Sequence, residues 1–135
     1  MSTTSNSKVL NITLWIAQLL LASLFLMAGT GKLFQPIEEL SKMLPWVNDV
    51  PVGLVRFIGL SEALGGLGLL LPALLRIKPG LTPLAALGLA VIQVLALFFH
   101  LSKGEYSVIV INLVFLGIAG FVAWGRSKKA PILAR

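Results

Sequence analysis

The chain has 135 residues, 57% of them hydrophobic and only 12% charged, and its mean hydropathy is +0.95. A soluble domain carries about 25% charged residues, so this composition excludes an ordinary water-soluble globule and leaves room for a single membrane domain. The formal charge of +6 would point to nucleic acid in a soluble protein, whereas here the basic residues gather beside long apolar runs. The absence of cysteine excludes disulfides, thiol redox chemistry and thiolate metal ligation within the chain.

Met1 to Ser7 (MSTTSNS) reads as a polar, disordered tail. The first apolar run, Ile12 to Leu33, follows Lys8 and so imitates a signal peptide. It exceeds the 7–15 residues of a signal h-region and ends in the polar Thr30-Gly31-Lys32, so it is taken as a retained span. Phe34 to Pro51 is the longest connection. Within it Pro36 precedes IEELSKML, which puts Ile37, Leu40 and Leu44 on one helical face. A proline suits the first turn of a helix, and the pattern predicts a short amphipathic helix on the membrane surface; a loop dipping its leucines into lipid is the alternative.

Three further runs follow: Val52 to Leu71, Leu81 to Leu101 and Tyr106 to Trp124. A spanning helix needs about 20 apolar residues, and all four runs meet or nearly meet that length. The loop Pro72 to Gly80 is short and basic, Pro83 stands in the first turn of the third span, and Ser102 to Glu105 is tight enough to make the last two helices antiparallel neighbours. The expected fold is therefore all-α: an antiparallel four-helix integral membrane bundle with a short amphipathic helix in the first loop. Residues 8–126 form the domain, between tail residues 1–7 and a basic tail of residues 127–135.

Four spans place both termini and the middle loop on one side. That side holds Lys8, Arg76, Lys78, Arg126, Lys128, Lys129 and Arg135 with no acid, while the other mixes Lys32, Lys42 and Lys103 with Glu38, Glu39, Asp49 and Glu105. Basic residues flank spans on the cytoplasmic side, so both termini are expected in the cytoplasm, with the spans in the lipid bilayer and no nucleic-acid partner. Trp15 and Trp124 near one boundary, with Trp46 and Tyr106 near the other, fit the aromatic belts of such a topology.

Polar residues inside apolar spans are costly and mark partners or function. At 100° per residue, Gln18, Ala22, Phe25, Gly29 and Lys32 share one face of the first span. Arg56, Gly59, Glu62, Ala63 and Gly66 share an arc of the second, beside a bulky arc suited to lipid. Gln93 and His100 align on the third, and Asn112 faces inward on the fourth with Ala119. Together Lys32, Arg56, Glu62, Gln93, His100 and Asn112 describe a polar funnel opening outward, with Glu62 near its floor. Each has a plainer reading: ion pairing for Arg56 and Glu62, snorkelling for Lys32, an interfacial position for His100, and interhelical hydrogen bonds for Gln93 and Asn112. One histidine without cysteine is too few ligands for a metal centre.

The segments FLMAGTGKL (Phe25 to Leu33), RFIGLSEALGGLGLLLP (Arg56 to Pro72) and LTPLAALGL (Leu81 to Leu89), with His100 and Asn112, resemble the DoxX-like membrane proteins. The resemblance runs from Leu14 to Arg126. It implies a four-helix bacterial inner-membrane protein working near the quinone pool, since some members resemble the membrane subunit of thiosulfate:quinone oxidoreductase and others are associated with oxidative-stress complexes. This chain has no cysteine to carry sulfur, so thiosulfate oxidation does not carry over.

Three functions stay open. The leading one is a redox-associated or quinone-linked subunit. In it Arg56, His100 and Asn112 donate to quinone carbonyls, and Glu62 or His100 exchanges protons. Its electrons come from a partner redox enzyme, the chain having no redox centre of its own. The second is a non-catalytic assembly or anchoring subunit, alone or as a homo-oligomer. The third is a small-solute or proton carrier, for which the sequence lacks the inverted repeats and broken helices of many transporters.

Overall fold

A computed structural model describes residues 3–134 of the chain. The described chain consists of helices and turns, with four helices long and apolar enough to cross a membrane. The first, α1 (Thr3–Phe34), is followed by α2 (Ile37–Met43) and a 3-10 turn, Pro45–Asp49. Then come α3 (Val52–Leu75), α4 (Leu81–Ser102) and α5 (Tyr106–Trp124), which ends in a π-helical turn, Gly125–Lys129. The short helix expected after Pro36 is present as α2, with Leu40 buried.

The helices outrun the apolar segments. The polar segment expected to be a disordered tail is helical from Thr3 onward, Met1, Ser2 and Arg135 lying outside the described residues. Residues 127–129, assigned to the basic tail, continue the last span as its π-turn. The third helix passes through Pro72 to Leu75, where a loop was expected. Pro72 has no N–H for the carbonyl of Gly68, four residues back. Thr82 on α4 fills the gap, its hydroxyl donating to the Gly68 oxygen at 3.1 Å. A neighbouring helix thus supplies the bond that the proline removes, which is how spans tolerate internal proline.

The buried positions of α3 are Val55, Gly59, Glu62, Gly66, Leu69 and Ala73, with Ala63 beside them. Their alternating steps of four and three residues are those of left-handed helix packing. Small residues decide how close the helices come. A Cβ on Gly29 would lie 2.6 Å from the Gly59 oxygen, and one on Gly59 would lie 2.7 Å from Lys32 Cβ. The backbones of α1 and α3 therefore touch at this crossing. In the chain of neighbours α1–α3–α4–α5, the seam that closes the bundle, between α5 and α1, is the slightest.

Leu21, Ala22, Phe25, Leu69, Ala86, Leu89, Ala119 and Val122 form an apolar layer across the middle of the bundle. The opposite surface of each span is leucine-, valine- and phenylalanine-rich and exposed, as lipid contact requires. A smaller apolar cluster of Leu40, Val47 and Val55 ties α2 and the 3-10 turn to the top of α3. We call that end the lid end, and the opposite one, with the termini-proximal residues and the α3–α4 loop, the basic end.

Candidate functional site

Polar side chains occupy the interior on both sides of the apolar layer. On the lid side, Lys32 Nζ donates to Glu62 Oε1 at 2.8 Å, and both side chains are buried. Glu62 is ten residues into α3, about 15 Å along its axis. Lys32 reaches it from the last turn of α1 because the two helices cross at Gly29 and Gly59. Arg56 takes no part in this ion pair. Its NH1 donates to the carbonyls of Lys32 (2.8 Å) and Gln35 (2.7 Å), covering unpaired acceptors at the end of α1. Arg56 and Glu62 are joined through Lys32 and not directly, the Arg56 NH1 being bonded to backbone carbonyls.

Gln93 and Asn112 meet between α4 and α5, where Asn112 Nδ2 donates to Gln93 Oε1 at 2.8 Å. Asn112 Oδ1 is buried and has no partner. Buried polar atoms are almost always hydrogen-bonded, so this acceptor stands open to a donor that the described side chains do not supply. His100 lies higher, its Nδ1 3.0 Å from Glu105 Oε1. Among the described residues no hydrogen bond joins the Lys32–Glu62 pair to the Gln93–Asn112 pair.

The lid closes over these groups. The Trp46 ring meets those of Phe99 and His100 edge-on, and Lys103 pairs with Asp49 across the gap between the α4–α5 loop and the 3-10 turn. Lys32, Glu62, Gln93, His100 and Asn112 are all buried. The expected funnel is thus a closed polar interior, because packing helices and the lid fill its mouth. Two grooves lie elsewhere, on the lipid-facing surface between α1 and α5 and between α3 and α4, and none of the six candidate residues lines either.

A second polar cluster sits on the other side of the apolar layer. Arg126 is 2% exposed. Its Nε donates to Gln18 Oε1 (2.6 Å), its NH1 to Asn11 Oδ1 (2.7 Å) and to the Ala130 carbonyl (2.8 Å), and its guanidinium stacks 5.4 Å from the Trp15 ring centroid. Gln18 Nε2 in turn donates to the Leu69 carbonyl at 2.6 Å. Sequence reasoning counted Arg126 only among the orienting charges. The signal that could have placed it inside was Gln18, an amide on the inward face of α1 with no partner at its own level.

A family model describing the DoxX-like family matches residues 16–122. The chain belongs to the DoxX-like family. Neither a curated protein nor a solved structure matches it. The match spans all four membrane helices, so the Lys32–Glu62 and Gln93–Asn112 pairs both fall inside the DoxX-like region, while Arg126 falls just beyond it.

Proposed function

We propose that this DoxX-like protein is a quinone-linked membrane subunit of a redox system, seated in the bacterial inner membrane with both termini in the cytoplasm. The observation that supports the reading is the Asn112 Oδ1, a buried acceptor that no described side chain pairs, beside Gln93 and on the lid side of the apolar layer. A quinol hydroxyl is a donor of the kind that atom lacks, and the amide nitrogens beside it suit a quinone carbonyl. Glu62 is the group that exchanges a proton, once the ligand draws Lys32 away from it. Electrons pass between the bound quinone and a partner protein. The apolar layer of Phe25, Leu69 and Leu89 separates the two polar clusters, which weighs against a solute or proton pathway through the bundle.

One observation favours a second reading. The Lys32–Glu62 pair is complete as it stands, as in an anchoring subunit whose polar core only fixes its helices. Equilibrium binding of a quinol analogue to purified protein separates the two. Saturable binding, lost in Asn112→Leu protein that still folds, supports the quinone-linked subunit. No binding to the wild type moves the assignment to the anchoring subunit.

A further inference from the structure

The basic end combines a cluster of basic side chains, with no Asp or Glu among them, with an apolar groove beside it. Lys8, Arg76, Lys78, Arg126, Lys128 and Lys129 stand there, and every Asp and Glu side chain lies elsewhere. Arg126 illustrates the imbalance: buried as it is, its hydrogen-bond acceptors among the described residues are neutral amide oxygens. The groove runs along the seam of α1 and α5 between Ile16, Ala17, Leu20, Gly117, Ile118 and Phe121, with a volume of about 360 Å³. Thr13 closes its end, and its hydroxyl proton is already donated to the Val9 carbonyl, so the groove is almost wholly apolar and its lining side chains offer a ligand no free donor.

The groove exists because α1 and α5 meet slightly and because Gly117 contributes no side chain; a Cβ there would touch nothing within 4 Å. Lys128 is seven residues beyond Phe121, about 10 Å along the helix, and both Lys128 and Lys129 are exposed. Apolar surface ending in cations at the bilayer boundary is the complement of an amphiphile with an anionic head, and basic pockets between spans bind such headgroups. The geometry points to a bound-lipid site: one acyl chain of an anionic phospholipid fills the α1–α5 groove, with its phosphate held by Lys128 and Lys129 next to Arg126. The site is separate from the polar interior on the lid side and stands or falls without it.

The test compares phosphatidylglycerol with phosphatidylcholine of the same acyl chains, added to delipidated protein in detergent. Native mass spectrometry reads retained lipid, and a thermal melt reads stabilisation. Wild-type protein should retain one phosphatidylglycerol with a higher Tm, and phosphatidylcholine should do neither. Gly117→Leu should fold normally and lose retention, and Leu20→Trp fills the groove from the α1 wall should Gly117→Leu fail to fold. Replacing both Lys128 and Lys129 by Gln should weaken phosphatidylglycerol binding roughly thirtyfold. Equal retention of the two lipids overturns the headgroup assignment. Phosphatidylglycerol retention undiminished in a folded groove-filling variant reduces the contact to surface charge and overturns the site.

Discussion

Gly29 and Gly59 press the backbones of α1 and α3 together, and the Lys32–Glu62 ion pair lies one turn away from that contact. A Cβ on Gly59 would stand 2.8 Å from the Gly29 carbonyl and 2.7 Å from Lys32 Cβ, so no side chain fits without parting the helices. The close approach is what lets a lysine at the end of one span reach a carboxylate 30 residues away in sequence.

Gly59→Ala should therefore destabilise the protein by about 1–3 kcal/mol, the usual cost of overpacking, with Gly29→Ala alike. Gly120→Ala makes the contrast, since a Cβ there meets nothing within 4 Å and alanine favours helix by about 1 kcal/mol. Thermal melts in one detergent measure all three. Equal losses at the three positions would mean that the crossing does not depend on contact at the glycines.

Lys32 and Glu62 should behave as one unit. Removing either partner of a buried ion pair strands the other charge and costs about 3–5 kcal/mol, whereas replacing both by apolar residues is often near neutral. Lys32→Met and Glu62→Leu should each lower Tm strongly, and the double variant should recover most of the loss. Additive losses in the double-mutant cycle would show that the two charges are satisfied independently.

Much of this was legible in the sequence because it depends on one helix at a time. Hydropathy marked the spans, and the 100° rotation placed Gln18, Lys32, Glu62, Gln93, His100 and Asn112 on faces that the fold buries. Pairing across helices was not legible. Glu62 and Arg56 share an arc of α3, yet the partner of Glu62 is set by how deeply α1 sinks against the glycines, and Arg56 answers to carbonyls left unpaired at the end of α1. The run through Pro72 was equally hidden, since it rests on a hydroxyl, Thr82, from the next helix. Arg126 was hidden for a different reason: counting charges beside a span says nothing of whether one of them turns beneath the bundle.

The Gln93–Asn112 pair distinguishes a site from a scaffold. Gln93→Leu alone strands Asn112 further and should cost about 1–3 kcal/mol, while Gln93→Leu with Asn112→Leu removes both amides, the unpaired Oδ1 with them, and should be neutral or stabilising. A double variant more stable than wild type and unable to bind the quinol analogue marks an amide pair kept for a ligand at some expense of stability. A double variant much less stable than the wild type identifies the pair as a structural hydrogen bond.

The proposed orientation, with both termini in the cytoplasm, rests on the basic end having no Asp or Glu and has a direct test. Met43, 85% exposed on α2, and Ser127, exposed in the π-turn, lie at opposite ends of the bundle. The chain has no native cysteine, so each engineered thiol reports alone. With the termini in the cytoplasm, a membrane-impermeant maleimide applied to whole spheroplasts should label Met43→Cys and spare Ser127→Cys until the membrane is opened. The opposite pattern would reverse the topology, place the lid in the cytoplasm, and move Lys128 and Lys129 away from the leaflet whose negative surface potential attracts such cations.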